Sequence, residues 1–369
     1  MYIEYLIVAI GLIPIYIFII RELNLKINTA LYIYFYRAIF SLIYIFYSSN
    51  YPADANMYIS GGISDEDLGI IGTGFVNRLI ELSSFLSIKG YALYSIFGLF
   101  GAVGCCYLYC AIKNCNIRGT KKMNKISAIF CFLPSLTFWT LAPGKDSIIF
   151  LVISFALYSY VKLKDNSLKI NFKIIISILL LFLIRPPVGA SLILGYIISF
   201  AIQFKKKKYL LLRLITLLIV IVTFWLAIPF LLNFVGIGGI NIFDGFYLLE
   251  ERFSQTSIEN VGTNSNYIMR VIFFTFTPLP LLTLNPLHLA DYLNTLFITY
   301  YLFTILKDKK TFIKIQNNPF FLFSIILLFV LPLVIFNPGV ATRQKWMFLP
   351  PLIVSLKNNR YLNHQKIVG

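Results

Sequence analysis

Charge is what this 369-residue sequence lacks most. Asp, Glu, Lys and Arg make up 13% of it, where a soluble domain carries about 25%. Hydrophobic residues reach 59%, and the mean hydropathy is +0.80, so a water-soluble enzyme of ordinary composition is excluded. Histidine is nearly absent, with only His288 and His364, which removes most of the raw material for zinc sites and histidine-based catalysis. The five cysteines form no CxxC motif. Cys105, Cys106 and Cys110 lie in one apolar run, and Cys115 and Cys131 flank the basic segment after it. That placement fits small apolar core residues rather than disulfides that staple loops. No low-complexity segment or internal repeat is visible, which argues against a secondary transporter built from repeats.

What is abundant is apolar and aromatic. The 24 Tyr and 35 Phe suit a protein bathed in lipid and its interfaces. Apolar runs predict helices at 2–20, 29–48, 91–112, 126–142, 146–161, 172–186, 188–204, 209–234, 286–306, 319–337 and 344–357. At about 20 residues per spanning helix, these make about eleven spans in a single polytopic membrane domain covering residues 1–369. The first run lacks the basic flank and small-residue cleavage site of a signal peptide. The stretch 269–284 is shorter and carries Pro278 and Pro280. It reads as a re-entrant or interfacial segment.

The charges orient these spans. Six segments (21–28, 113–125, 162–173, 205–213, 307–314 and 357–369) hold 23 Lys and Arg against three acids, Glu22, Asp165 and Asp308. The opposite set holds Arg78, Lys89, Lys145, Arg185, Arg252, Arg270, Arg343 and Lys345 among eleven acids. By the positive-inside rule the first set is cytoplasmic, so the N-terminus lies outside and the C-terminus inside. The net charge of +17 therefore arises from short basic runs at cytoplasmic helix ends, which anchor spans against anionic headgroups, and no nucleic-acid partner is expected. The two longer loops, 49–90 and 235–285, are both predicted outside. They hold the Gly, Asp, Glu, Tyr and Pro from which a site is made, so any chemistry belongs to the outer face.

Several groups there are candidates. Pro143-Gly144-Lys145-Asp146-Ser147 forms a tight outer hairpin. Its Gly-Lys imitates a phosphate loop, but Trp139 and Asp146 break the required spacing. The next helix begins near Lys145, and free N–H groups at a helix start attract anions; Asp146 is either a cap paired with Lys145 or part of an anion or catalytic site. Arg185-Pro186-Pro187 places an Arg in the outer part of the membrane beside a helix break that opens backbone onto a cavity. Arg37 lies near the middle of its span, where it needs a carboxylate, carbonyls or a ligand phosphate, with Tyr34 and Tyr44 as helpers. Arg343, in the outer turn Asn337–Lys345, sits near another helix start, with Lys345 beside it. Arg270 adds a cation within the 269–284 segment. Together Lys145, Arg185 and Arg343 point to a multiply charged anion such as a pyrophosphate. Asp54 is a candidate general base and Tyr58 a sugar-stacking or hydrogen-bonding group. Asp65-Glu66-Asp67 imitates a metal-binding D-x-D, yet it falls outside, away from cytoplasmic sugar nucleotides, so neither a metal nor a cofactor is expected.

Along these positions the chain resembles the Wzy-type polymerases of bacterial O-antigen, capsule and exopolysaccharide repeat units. The resemblance is carried by Asp54 through Tyr58, by Leu133-Pro134-Ser135-Leu136 through Phe138-Trp139 into Gly144-Lys145-Asp146, by Arg185-Pro186, by Thr277-Pro278-Leu279-Pro280, and by Arg343 before Pro350. The chain has Pro187 where many relatives carry His, and Lys345 where a second Arg is expected. The resemblance implies a membrane glycosyltransferase in the bacterial cytoplasmic membrane that acts on undecaprenyl-pyrophosphate-linked oligosaccharides at the outer face. A flippase and a chain-length regulator would be its partners alongside membrane lipids. The alternatives are a flippase or other transporter of the same lipid-linked sugar, and an O-antigen ligase-like transferase, which would be expected to use outer-loop His and Arg.

Overall fold

The computed structural model describes residues 2–51, 53–60, 70–115, 129–163, 170–203, 218, 267–276, 291–292, 295–296, 299–300, 303, 318–333 and 338–368, and among them it is all-helical with no strand. Two compact units divide the chain, one comprising Met1–Asp165, Lys169–Gly189 and the last two residues, the other Asn166–Leu168 and Ala190–Ile367.

In the first unit, α1 (Tyr2–Gly11) and α2 (Ile13–Ile20) continue into a 3-10 turn at Arg21–Leu23. Pro14 sits in the first turn of α2, where its missing N–H is harmless. Then follow α3 (Ile27–Asn50), α4 (Asp54–Ile59), α5 (Thr73–Phe85), α6 (Leu93–Asn114), α7 (Pro134–Trp139), α8 (Lys145–Lys162) and α9 (Phe172–Ile184). The stretches Tyr2–Leu23, Ile27–Asn50 and Gly90–Asn114 are each long and apolar enough to cross a membrane. α6 is the central element, packed most extensively on α8 and also on α3.

The faces of α3 show which solvent it meets. It buries Arg37, Ser41 and Ser48 and exposes Tyr32, Phe35, Ile39, Ile43 and Phe46. Those exposed positions recur every three to four residues, one helical face. On α1, Ile3, Ile7 and Ile10 do the same at 73%, 66% and 64% exposure. Polar groups inside and a continuous apolar face outside is the reverse of a water-soluble helix.

Glycines on α6 allow close approach to its neighbours. A side chain at Gly101 would overlap both the Arg37 guanidinium and the Thr140 carbonyl, and one at Gly104 would lie 2.9 Å from the Leu151 backbone of α8. Small residues of this kind let membrane helices pack backbone to backbone.

The two ends of α9 are fixed by separate contacts. At its start the Asn171 side chain caps Ile174 N–H at 2.9 Å, and Lys173 lies 3.5 Å from Glu22. At its finish the Leu183 carbonyl accepts from Gly72 N–H at 2.7 Å, which brings the start of α5 to this end.

The second unit contains most of α10 (Pro186–Gln203), with α11 (Tyr267–Phe276), α12 (Pro319–Val330) and α13 (Pro338–Val368). Asn318 caps α12 by accepting from Phe320 and Phe321 N–H at 3.0 and 3.4 Å. α10 meets α12 where Gly195 faces the Pro319 carbonyl.

Three expectations change. The run 126–142 is not one helix: the chain turns at Cys131–Phe132 and restarts at Pro134, because proline restricts the residue before it and cannot donate to the preceding turn. The run 319–337 ends its α-helix at Val330, and a 3-10 turn follows at Leu331–Leu333. The stretch 338–345 is not a turn. It is helical from Pro338, so Arg343 lies within α13 rather than before it. The expected span 209–234 apart from Leu218, all of 235–266, residues 277–290 including Pro278, Pro280 and His288, and the Asp65–Asp67 acids lie outside the described residues.

Candidate functional site

Residues of three separate segments of the first unit come together beside the start of α8. Gly144 is its N-cap, with φ 149°, a backbone angle that favours glycine. Lys145 is the first helical residue and Asp146 the second. Asp146 at this end suits the helix dipole, while Lys145 opposes it. Ser147 donates from its hydroxyl back to the Gly144 carbonyl at 3.3 Å, which closes the first turn.

Arg185 arrives from the break between α9 and α10. It leaves the helical region, with φ −152° and ψ 88°. Its N–H still closes the last turn of α9 on Leu181 O at 2.8 Å, and its carbonyl accepts from Val188 N–H at 2.9 Å to start α10. Pro186 lies between, with no N–H to lose. This junction directs Arg185 to Asp146: Nη1 lies 3.7 Å from Oδ1, with the side chains 26% and 18% exposed.

Tyr58 comes from α4. A Cβ on Gly144 would stand 3.5 Å from its ring, so the ring lies beside the glycine. α4 is held to the end of α3 by Asn56, whose side-chain amide donates to the Ser48 carbonyl at 2.8 Å. Asp54 opens the same helix and is exposed. Thus Tyr58, the Gly144–Asp146 start of α8 and Arg185, from three segments distant in sequence, come together, and Tyr58, Lys145, Asp146 and Arg185 are each half-buried.

Arg37 is not part of that group. It is 1% exposed, and its Nη1 and Nη2 donate to the Thr140 carbonyl at 3.2 Å and hydroxyl at 3.0 Å. The guanidinium lies 5.2 Å from the centre of the Phe150 ring, within the range of a cation–π contact. Thr140 follows the last residue of α7, so Arg37 acts as the cation at a helix C-terminus. The sequence pointed to Tyr34 as its helper, but the Tyr34 hydroxyl donates to the Ala9 carbonyl at 2.5 Å. The Tyr44 ring packs on Tyr94 and Phe138.

Arg343, Lys345 and Arg270 belong to the second unit. Arg343 and Arg270 are half-buried, on α13 and α11. Lys345 is 3% exposed, and the carboxylate of Asp291, itself 7% exposed, acts on it electrostatically. Asp291 falls inside the apolar run 286–306 predicted as a helix. A buried acid with no adjacent base in sequence is the signal that seeks a distant cation.

No group of three or more His, Cys, Asp or Glu suited to a metal ion occurs among the described residues. The site's chemistry is that of two cations, one carboxylate and an aromatic ring. Cations of this kind suit an anion, and an aromatic ring offers a stacking or hydrogen-bonding surface. Comparison with models of known protein families, with curated proteins and with solved structures found no match in any of the three.

Proposed function

We propose that this protein is a polytopic membrane glycosyltransferase that joins undecaprenyl-pyrophosphate-linked oligosaccharide repeat units on the outer face of the bacterial cytoplasmic membrane. The observation that carries this reading is that Arg185, at one helix break, reaches Asp146 at the start of α8, next to Lys145 in sequence and with Tyr58 beside Gly144. A pyrophosphate leaving group needs donors where its charge develops, and fixed cations in a low-dielectric site supply them.

The sidedness fits the charge rule. Lys173 and Glu22, which meet at the start of α9, both belong to the set assigned to the cytoplasm. Arg185 and Asp146, which meet at its other end, both belong to the external set.

In the reaction, a hydroxyl oxygen of the incoming unit attacks the anomeric carbon of the growing chain. The bond from that carbon to the pyrophosphate oxygen breaks, and the lipid pyrophosphate leaves with the electron pair. The hydroxyl proton passes to a carboxylate, for which the exposed Asp54 at the start of α4 is the candidate. Lys145 and Arg185 bind the leaving group, and Tyr58 positions the sugar.

Deletion of the gene tests the assignment. The expected outcome is surface glycan limited to one repeat unit or none, with lipid-linked single units persisting at the outer face. Accumulation of those units on the cytoplasmic face instead would identify a flippase.

A further inference from the structure

We propose that a single resident water molecule, held by the Ser41 hydroxyl, bridges α1, α3 and α6 in the first unit. Its place is a small cavity lined by Tyr5 of α1, Tyr34 and Ser41 of α3, and Ser95, Gly98 and Leu99 of α6, among others. The centre of a water molecule has about 10 Å³ to move in there. That is the room of one water, since roughly 10 Å³ or more is needed, and it leaves no space for a larger ligand.

Ser41 supplies the polar group that points to an occupant. It is 0% exposed, and its hydroxyl makes no hydrogen bond. A buried hydroxyl without a partner is costly. Gly98 leaves the room in front of it: a Cβ there would stand 3.1 Å from Ser41 Oγ. The Tyr5 and Ser41 side chains interact electrostatically, yet the Ser41 hydroxyl stands outside direct hydrogen-bond geometry, a relation that a bridging water completes.

The other hydroxyls around the cavity have already committed their protons. Tyr5 donates to the Ala38 carbonyl at 3.0 Å, Tyr34 to the Ala9 carbonyl at 2.5 Å, and Ser95 to the Tyr5 carbonyl at 2.9 Å. Each of these oxygens can still accept. A water among them accepts from the Ser41 O–H and donates its two protons to two of the three oxygens. Those three bonds are the usual number for a buried water. The same surroundings disfavour a cation. None of the described residues lining the cavity is acidic, and Arg37 is buried one turn before Ser41 on the same face of α3.

Synchrotron X-ray radiolysis of the purified full-length protein in detergent, read by mass spectrometry, tests for this water, because hydroxyl radicals formed at a bound water oxidise the side chains around it. Tyr5, Tyr34 and Leu99 should be oxidised although all three are buried, whereas Phe150, equally buried but outside the cavity, should not. Ser41→Ala removes the hydroxyl that holds the water, and Gly98→Ala places a methyl in front of that hydroxyl. Both variants should lose the oxidation at Tyr5, Tyr34 and Leu99, with thermal unfolding used to verify that they remain folded. Wild-type protein that shows no oxidation at these three residues overturns the proposal. So does oxidation that persists in folded Ser41→Ala and Gly98→Ala. A rise in unfolding temperature in sodium chloride over choline chloride that Ser41→Ala abolishes would make the occupant a cation and overturn it as well.

Discussion

Both terminal nitrogens of Arg37 donate to a single residue, Thr140, one to its carbonyl at 3.2 Å and one to its hydroxyl at 3.0 Å. The Thr140 hydroxyl in turn donates to Leu136 O at 2.5 Å. This chain of contacts ties the middle of α3 to the end of α7, directly before the Pro143–Asp146 hairpin. Arg37 thus braces the segment that leads into that hairpin.

Arg37→Met should therefore lower stability rather than chemistry. It strands a buried carbonyl, which costs about 1–3 kcal/mol. Gly101→Ala should be at least as damaging, since the added methyl overlaps both the guanidinium and the Thr140 carbonyl and overpacking typically costs about 1–3 kcal/mol. Thermal unfolding of the detergent-purified protein should show both losses, while polymer formed per folded molecule stays near wild type. Arg37→Met with normal stability and no polymer would return Arg37 to the substrate.

Topology carries its own test. Reporter fusions after residues 120, 167 and 310 should be cytoplasmic, and fusions near 60 and 255 external. An external signal at 120 would reverse the charge assignment and move the Lys145–Arg185 group to the cytoplasmic face.

What could be read in the sequence divides along physical lines. Long apolar helices such as Ile27–Asn50 and Leu93–Asn114 announce themselves, because about 20 apolar residues have one economical solution in a membrane. The break at Arg185 was legible from Pro186 and Pro187, since proline lacks the donor that would continue α9. The interruption before Pro134 was not, because its flanks remain apolar on both sides and hydropathy alone reads through it. Nor was the start of α13 at Pro338: a Pro-Gly pair marks a turn as readily as a helix N-terminus. The partner of Arg37 could not be found locally. Thr140 is 103 residues away, and only the packing of α3 against α6 and α7 brings the two together. Asp146 and Arg185 were each candidates in the sequence, but their pairing depends on how α9 ends against α8.

Arg185→Lys isolates the geometry of the anion site from its charge. Lysine keeps the positive charge and loses the planar fork that binds two oxygens at once. Loss of one donor to a developing charge costs about 10²–10³ in rate. Glycan ladders from cells carrying Arg185→Lys should thus collapse to the shortest species while membrane protein levels stay normal. Lys206→Ala, in the run Lys205–Lys208, should leave the ladder unchanged, because neighbouring lysines supply the same interfacial charge. Wild-type ladders from both Arg185→Lys and Lys145→Ala would leave these residues to capping and topology.

The buried charges of the second unit call for a double-mutant experiment. Lys345 and Asp291 are 3% and 7% exposed, and the Asp291 carboxylate acts electrostatically on Lys345, in a region where an isolated ion is costly. Neutralising one leaves the other uncompensated, a loss of about 3–5 kcal/mol for a buried pair. Lys345→Met and Asp291→Asn alone should therefore each reduce the amount of folded protein in the membrane. The double variant Asp291→Asn, Lys345→Met removes both charges together and should recover most of that amount. Folded protein would be quantified by size-exclusion chromatography of detergent extracts, with polymer measured on the same cells. Recovery of both protein and polymer makes the pair a structural clamp on α13. Recovery of protein without polymer would assign Lys345 to the substrate, alongside Arg343 two residues before it. Single variants with wild-type protein levels would show that the two charges do not depend on each other.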